Sequence, residues 1–253
     1  MTIISLLLLI SLLPHLTFTD RGNVVIVNGK EAKPHSRPYM VSLQKDKTHI
    51  CGGFLISDEF VMTAAHCRKR SEKLTVVVGA HDVKNKNEGS VSIRVKSYHK
   101  HPGYCSNSGF NDIMLLRLKK TVQGMNNVKT ISIPTQDGDI EADAVCSVAG
   151  WGRLQAKGKG SDYLMEANVY IMDNTECETR WEEWYSVSQM TCAHGHGGSC
   201  KGDSGGPLVC GDTAVGVTSF GSEVLCNSPE KPNVYTKISA YLRWIRKTIK
   251  NVK

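Results

Sequence analysis

Three short segments of this 253-residue chain carry side chains able to do covalent chemistry. In chain order they are Thr63-Ala64-Ala65-His66-Cys67, Asn111-Asp112-Ile113-Met114-Leu115-Leu116 and Gly202-Asp203-Ser204-Gly205-Gly206-Pro207. Singly, each is modest. A lone His is usually structural or superficial, an Asp before an apolar strand is often a turn residue, and a Ser among glycines is commonly a loop. Together they suit acyl transfer. A serine hydroxyl is a poor nucleophile and needs an adjacent base. An imidazole takes its proton near neutral pH. A buried carboxylate fixes the imidazole tautomer and stabilises the imidazolium. Glycines around the Ser let backbone N–H groups approach the oxyanion that forms.

The elements that must position these groups read mostly as strands. Residues 74–78 are rich in β-branched side chains, and Val91, Ile93 and Val95 alternate with Ser92, Arg94 and Lys96. Residues 113–118, 145–149, 167–171, 207–210, 214–220 and 234–238 read the same way. Short strands parted by Gly, Asn, Asp and Ser turns predict an all-β sandwich or barrel. One helix is predicted, at the C-terminus, where Ile238, Leu242, Ile245, Ile249 and Val252 fall on one face of a 3.6-residue period, with Ser239 as N-cap. Arg243, Arg246, Lys247, Lys250 and Lys253 cover its remaining surface. Residues 135–143, with Gly138 and three Asp, mark the boundary between two lobes.

Composition bounds the class. Hydrophobic residues make up 40% and charged residues 22% of the chain, which excludes collagen-like, low-complexity and disordered polymers. The net charge of +7 favours polyanionic company without choosing it. Nine cysteines are too many for casual use in a reduced cytosol. Residues 3–13 form an apolar run at the N-terminus, shorter than the about 18 residues of a membrane span. It reads as a secretory signal over residues 1–19, although no Lys or Arg precedes it. No later stretch is apolar enough to span a bilayer, and no Asn-x-Ser/Thr sequon is present.

The three segments, with Ile26-Val27-Asn28-Gly29, Ala149-Gly150-Trp151-Gly152, Gly198-Ser199-Cys200-Lys201 and Ser219-Phe220-Gly221, resemble the chymotrypsin-like serine proteases from Ile26 to the C-terminus. The resemblance implies two six-stranded antiparallel β-barrels with the cleft between them and the C-terminal helix packed on the second. It implies His66 as general base, Asp112 as its orienter, Ser204 as nucleophile, and the N–H groups of Gly202 and Ser204 as the oxyanion hole. It implies four disulfides, Cys51–Cys67, Cys146–Cys210, Cys177–Cys192 and Cys200–Cys226, which spacing alone could not choose. It also implies a mature chain, residues 26–253, whose new Ile26 amino group pairs with Asp203. Residues 20–25 would then be a short propeptide; Val25 is not basic, so the activating cut is not tryptic. No cofactor and no metal are expected; His194-Gly195-His196 is read as a loop.

Within the family, residues 33–40 resemble granzymes and mast-cell proteases, and residues 217–221 with the Cys200/Cys226 pair lean toward the granzyme A and K branch. The implied setting is a secreted, granule-stored endopeptidase with a cytotoxic or immune role. Serpin-type inhibitors and sulfated glycosaminoglycans are its expected partners. A digestive or plasma protease, and a non-enzymatic heparin-binding defence protein, are the competing readings. The expected substrate-side residues are Gly198, Ser199, Lys201, Ser219, Phe220, Gly221 and Asn233. Basic-specific members carry an Asp six residues before the nucleophile, and Gly198 stands there. The P1 residue, which precedes the cut bond, is therefore expected to be non-basic. An open floor favours Phe, Tyr, Leu or Met, Asn233 admits Asn or Gln, and Lys201 at the rim favours acidic groups nearby. Cys105 is left over in a polar, Gly-containing loop and is expected to link two chains, as granzyme A's extra cysteine does.

Overall fold

The computed structural model describes residues 26–69, 71–85, 87 and 89–252. The expected signal and propeptide lie outside the described residues, as do Arg70 and Lys253. After a two-residue strand β1 (Lys30–Glu31), six strands follow: β2 (Met40–Lys45), β3 (Thr48–Leu55), β4 (Phe60–Thr63), β5 (Thr75–Val78), β6 (Val91–Lys100) and β7 (Met114–Leu118). They close into a barrel in the order β2-β3-β4-β7-β6-β5. A second set, β8 (Val145–Gly150), β9 (Met165–Ile171), β10 (Met190–His194), β11 (Pro207–Cys210), β12 (Thr213–Phe220) and β13 (Asn233–Lys237), runs β9-β10-β13-β12-β11-β8 and closes through β8–β9, with β1 on the outer edge of β9. Every strand pair in both barrels is antiparallel. This is the expected all-β, two-barrel chymotrypsin-like architecture.

The period-two pattern shows why. Along β9, Met165, Ala167, Val169 and Ile171 are buried, while Glu166, Asn168 and Tyr170 are not. Each barrel fills its own interior. Leu43, Phe54, Phe60, Met62 and Leu115 pack the first, and Cys146, Val148, Leu208 and Tyr235 pack the second. Burial of such side chains contributes about 1.5–3 kcal/mol each.

Sequence patterning missed the two-residue β1 and also β2, β3, β4 and β10. In β3 the apolar alternation is interrupted by Gly52 and Gly53, and the reason is close approach. A Cβ on Gly53 would lie 3.0 Å from Val41 and Leu43 side chains, and one on Gly52 would lie 3.2 Å from Gly206 of the other barrel. The helix α1 (Asn174–Trp181) was missed because it buries only Cys177. Its N-terminal signal was legible: Asp173 accepts from the N–H groups of Thr175 at 2.8 Å and Glu176 at 3.2 Å.

Two expectations for the C-terminus are corrected. Ser239 is not an N-cap: residues Ile238–Tyr241 form a 3-10 turn, and the Ser239 hydroxyl donates to Gly138 O at 2.9 Å in the inter-barrel segment. The helix α2 (Leu242–Val252) does not rest on the second barrel alone. Its apolar side joins a cluster containing first-barrel side chains together with Val209, Ala214 and Val217, so it clamps the seam. Lys237, buried, adds an ion pair to Asp139 of the same inter-barrel segment. No helix among the described residues is long and apolar enough to cross a membrane.

Candidate active site

His66 lies in a 3-10 turn, Ala65–Cys67, directly after β4. Thr63 of β4 pairs with Met114 of β7, so the turn stands beside the residues leading into β7. Asp112 is among them. The Cys51–Cys67 disulfide fastens the turn to β3. His66 Nδ1 lies 2.6 Å from Asp112 Oδ2, and the His66 main-chain N–H donates to Oδ1 at 2.9 Å. A carboxylate can only accept, so the imidazole proton sits on Nδ1 and Nε2 is left as the basic nitrogen.

The second barrel completes the carboxylate's setting. The Ser219 hydroxyl of β12 donates to Oδ2 at 2.6 Å, and Thr236 Oγ1 of β13 donates to the Asp112 carbonyl at 3.1 Å. Asp112 is only 2% exposed. Burial by itself would raise its pKa, but the hydrogen bonds from His66 and Ser219 hold it below the usual carboxylate value. Asn111 just before it adopts a left-handed φ of 57°, tolerable for Asn, and accepts from Tyr241 Oη at 3.2 Å.

Ser204 sits between two glycines with positive φ, Gly202 (108°) and, beyond it, Gly205 (82°). A Cβ at Gly202 would come within 2.8 Å of Gly152 Cα. The turn is pinned across both barrels: Gly52 N–H donates to Ser204 O at 2.9 Å, and Gly205 N–H to Thr218 O at 2.8 Å. Among the described residues, the N–H groups of Gly202 and Ser204 donate to no protein acceptor. Ser204 and His66 border one groove of about 550 Å³, with no direct hydrogen bond between their side chains among the described residues.

A pair of residues that sequence reasoning overlooked steadies this turn. His49 Nε2 lies 3.0 Å from Gly202 O, and its Nδ1 lies 2.8 Å from Ser42 Oγ. Burial lowers the His49 pKa to about 4, so the ring is neutral near physiological pH. The carbonyl must be the acceptor, so Nε2 carries the proton and Nδ1 accepts from Ser42. Nothing in the sequence distinguished these polar residues from others in short strands.

Asp203, next to the serine, is 1% exposed. Its two oxygens accept from Gly152 N–H at 2.8 Å and Cys200 N–H at 2.9 Å. Burial pushes its pKa up to about 6, only partly offset by those two donors. Among the described residues no cation pairs with it. Ile26 is fully buried in the second-barrel core, and the carbonyl of Val27 receives the Gly198 N–H at 3.2 Å.

A second cavity of about 450 Å³ opens beside Ser204, bordered by Ser199, Ser219, Phe220, Gly221 and Asn233, with three charged residues, Arg153 and the exposed Lys201 and Glu223, also on its lining. Here the open floor is corrected. Gly198 is buried and does not border the cavity, because Asn233 covers it. A Cβ on Gly198 would lie 2.6 Å from Asn233 Oδ1, and one on Gly221 would collide with Nδ2. Both glycines make room for the Asn233 amide, and of the two only Gly221 also borders the cavity. That amide is held by a 3.1 Å bond from Nδ2 to Ser199 O.

The remaining disulfides are Cys146–Cys210, Cys177–Cys192 and Cys200–Cys226, and Cys105 is free and exposed. Cys51, His66 and Cys67 cluster closely enough to suggest a metal site, but both sulfurs are in the disulfide and offer no thiolate. The His194 ring packs against Tyr170, with centroids 6.0 Å apart.

Two closed antiparallel barrels, with a His–carboxylate pair from one facing a glycine-flanked serine from the other, define the chymotrypsin-like class of serine endopeptidases. The Trypsin family model matches residues 26–245, and the chain belongs to that family. It is 40% identical to granzyme B of Rattus norvegicus over 257 residues, covering 99% of each chain. It is 39% identical to mast cell protease 3 of Ovis aries over 90% of each, and to granzyme M of Rattus norvegicus over 96% of each. Among solved structures, neuropsin, a serine protease of mouse brain, superposes with a TM-score of 0.81 at 35% identity, over 87% of this chain and 98% of that one. The protein is a serine endopeptidase with granzyme-like relatives.

Proposed function

We propose that Ser204 attacks the substrate carbonyl while His66 Nε2 takes its proton, and that Asp112 stabilises the resulting imidazolium. The N–H groups of Gly202 and Ser204 hold the oxyanion. His66 then delivers the proton to the departing amine, and water resolves the acyl-enzyme by the reverse route. The observation that carries this reading is the 2.6 Å His66–Asp112 pair, whose imidazole borders the same groove as Ser204. Ser204→Ala should lower kcat by several orders of magnitude while the protein stays folded. A fluorophosphonate should label the wild type at Ser204. Unlabelled, fully processed wild type would favour a non-enzymatic defence protein instead.

Activation follows from Asp203. Its uncompensated burial supports a free Ile26 ammonium as the missing partner, released by removal of residues 20–25 after signal cleavage. The names of the relatives support an immune, granule-stored protease. Placement nearest granzymes A and K rests on residues 217–221 and the Cys200–Cys226 pair. Serpin-type inhibitors follow from the protease class. The cations of α2, Arg243, Arg246, Lys247 and Lys250, support storage on sulfated glycosaminoglycan. P1 is non-basic, since Gly198 stands where basic-specific members carry an Asp, and Glu223, which borders the cavity, is exposed to solvent that screens it. With Asn233 across it, the cavity takes an unbranched, uncharged side chain such as Met or Gln in preference to an aromatic ring.

A further inference from the structure

The groove bordered by His66 and Ser204 shares Arg153, Lys201 and Ser204 with the P1 cavity, extends from there to Lys45 and Lys69, and is lined by cations from both barrels. Lys45 and Lys69 stand on the first barrel's side, Arg153 and Lys201 on the second's. The Cys51–Cys67 disulfide and Trp151 also border it. A single carboxylate, Glu72, faces these four. It lies 2.7 Å from Lys45 Nζ and accepts from the Lys69 main-chain N–H at 3.3 Å. The hydrogen bond from Lys45 holds the Glu72 carboxyl below its usual pKa. Among the described residues, Lys69, Arg153 and Lys201 have no carboxylate within ion-pair distance. Arg153 uses Nη1 on the Ala156 carbonyl at 3.0 Å. Glu72 is thus one carboxylate against four cations, and Arg153 and Lys201 form no ion pair among the described residues, although exposed Glu223 borders the P1 cavity with them.

Position decides what passes there. A substrate's acyl side enters the P1 cavity and meets Phe220 and Gly221, which also border a third cavity, of about 440 Å³, with Trp181, Trp184 and Tyr104. Phe220 and Gly221 do not border the cationic groove. The chain beyond the cut bond must leave past His66 and Ser204 on the other side, over the Cys51–Cys67 disulfide. We propose that this groove recognises acidic residues on the leaving side of the scissile bond, so that the preferred substrates are protein segments carrying Asp or Glu just after the cut. The inference rests on the endopeptidase reading of Ser204 and His66. Concave walls carrying one sign of charge raise the local concentration of an oppositely charged segment. The attraction between exposed groups is screened by salt.

The test uses three peptides that share one acyl side and carry Glu-Glu, Ala-Ala or Lys-Lys after the cut. At low ionic strength, kcat/KM for Glu-Glu should exceed that for Lys-Lys by about tenfold, the scale of a few exposed charge pairs. The ratio should shrink in about 0.5 M salt. A Lys69→Ala/Arg153→Ala/Lys201→Ala protein should bring it near unity, and Arg153→Glu should move it toward Lys-Lys. A flat wild-type ratio, or one that survives the triple substitution, would overturn the proposal. So would a flat ratio accompanied by weaker heparin retention of the triple variant, which would assign these cations to a sulfated glycan. Fluorophosphonate labelling separates this failure from failure of the endopeptidase reading. If no labelling occurs, fluorescence anisotropy of the same peptides on the Ser204→Ala protein reads the same preference without turnover. Equal binding of Glu-Glu and Lys-Lys there would equally refute it.

Discussion

Removing the Asn233 side chain should convert the enzyme toward aromatic P1 residues. In the wild type the amide lies between Gly198 and Gly221, held to Ser199 O, and occupies the space both glycines leave. A Phe ring at P1 must either displace it, losing that hydrogen bond, or stay at the mouth of the cavity. In Asn233→Gly the ring can enter. Newly burying about 100 Å² of ring at about 25 cal/mol per Å² gives about 2.5 kcal/mol, or roughly 70-fold in kcat/KM for Phe substrates. Met substrates, already accommodated, should change by less than about fivefold. The lost hydrogen bond costs about 1 kcal/mol, and the added backbone freedom about 0.5–1 kcal/mol. The melting temperature should therefore fall by about 3–8 °C without unfolding the protein. The assay is a set of peptides differing only at P1, with Met, Gln, Leu, Phe, Tyr, Arg and Asp. Binding of indole, a ring-sized probe, gives a readout free of turnover: it should bind Ser204→Ala/Asn233→Gly and not Ser204→Ala. A wild type that prefers Phe or Tyr, or a Phe-to-Met ratio unmoved by the substitution, would refute the reasoning. A preference for Asp would show that Arg153 and Lys201 at the mouth, rather than the Asn233 amide, set the choice.

Two further outcomes are expected. With residues before Ile26 still attached, folded Asp203 takes up a proton near pH 6 whereas the unfolded chain does so near 3.8. The folded state then binds the proton more tightly, so this group's contribution to stability is greatest below about pH 4 and is lost as pH rises through about 6. Unfolding free energy of unprocessed wild type minus that of unprocessed Asp203→Asn should thus grow as pH falls across this window, and the trend should vanish in chains that begin at Ile26; a flat difference in the unprocessed pair would remove the account of Asp203. At Cys105, the Ser108 hydroxyl and the backbone N–H groups of Ser108 and Asn107 lower the thiol pKa, which favours disulfide exchange from an exposed loop. Non-reducing electrophoresis should show a species of twice the monomer mass that collapses on reduction and is absent in Cys105→Ser, and a purely monomeric native protein would exclude the link.

Local patterning determined a good deal of this protein by itself. Period-two alternation in segments such as residues 167–171 and 214–220 requires half-buried strands, because successive side chains on a strand point to opposite faces. The 3.6-residue stripe from Leu242 to Val252 requires a helix with one buried side. The His66, Asp112 and Ser204 segments were legible because a nucleophile, a base and a carboxylate need those residue types whatever the scaffold. Tertiary structure alone decided the rest, where contacts join residues far apart in sequence. Ser219 and Thr236 grip Asp112 only because the second barrel's β12 and β13 reach the first barrel's loop. His49 steadies Gly202 across 153 positions of sequence, a pairing with no local signature. Gly198 and Gly221 look like an open pocket in the sequence, since a glycine carries no information about what fills the space it leaves. That space belongs to Asn233, and only the packing of three distant backbone segments shows it.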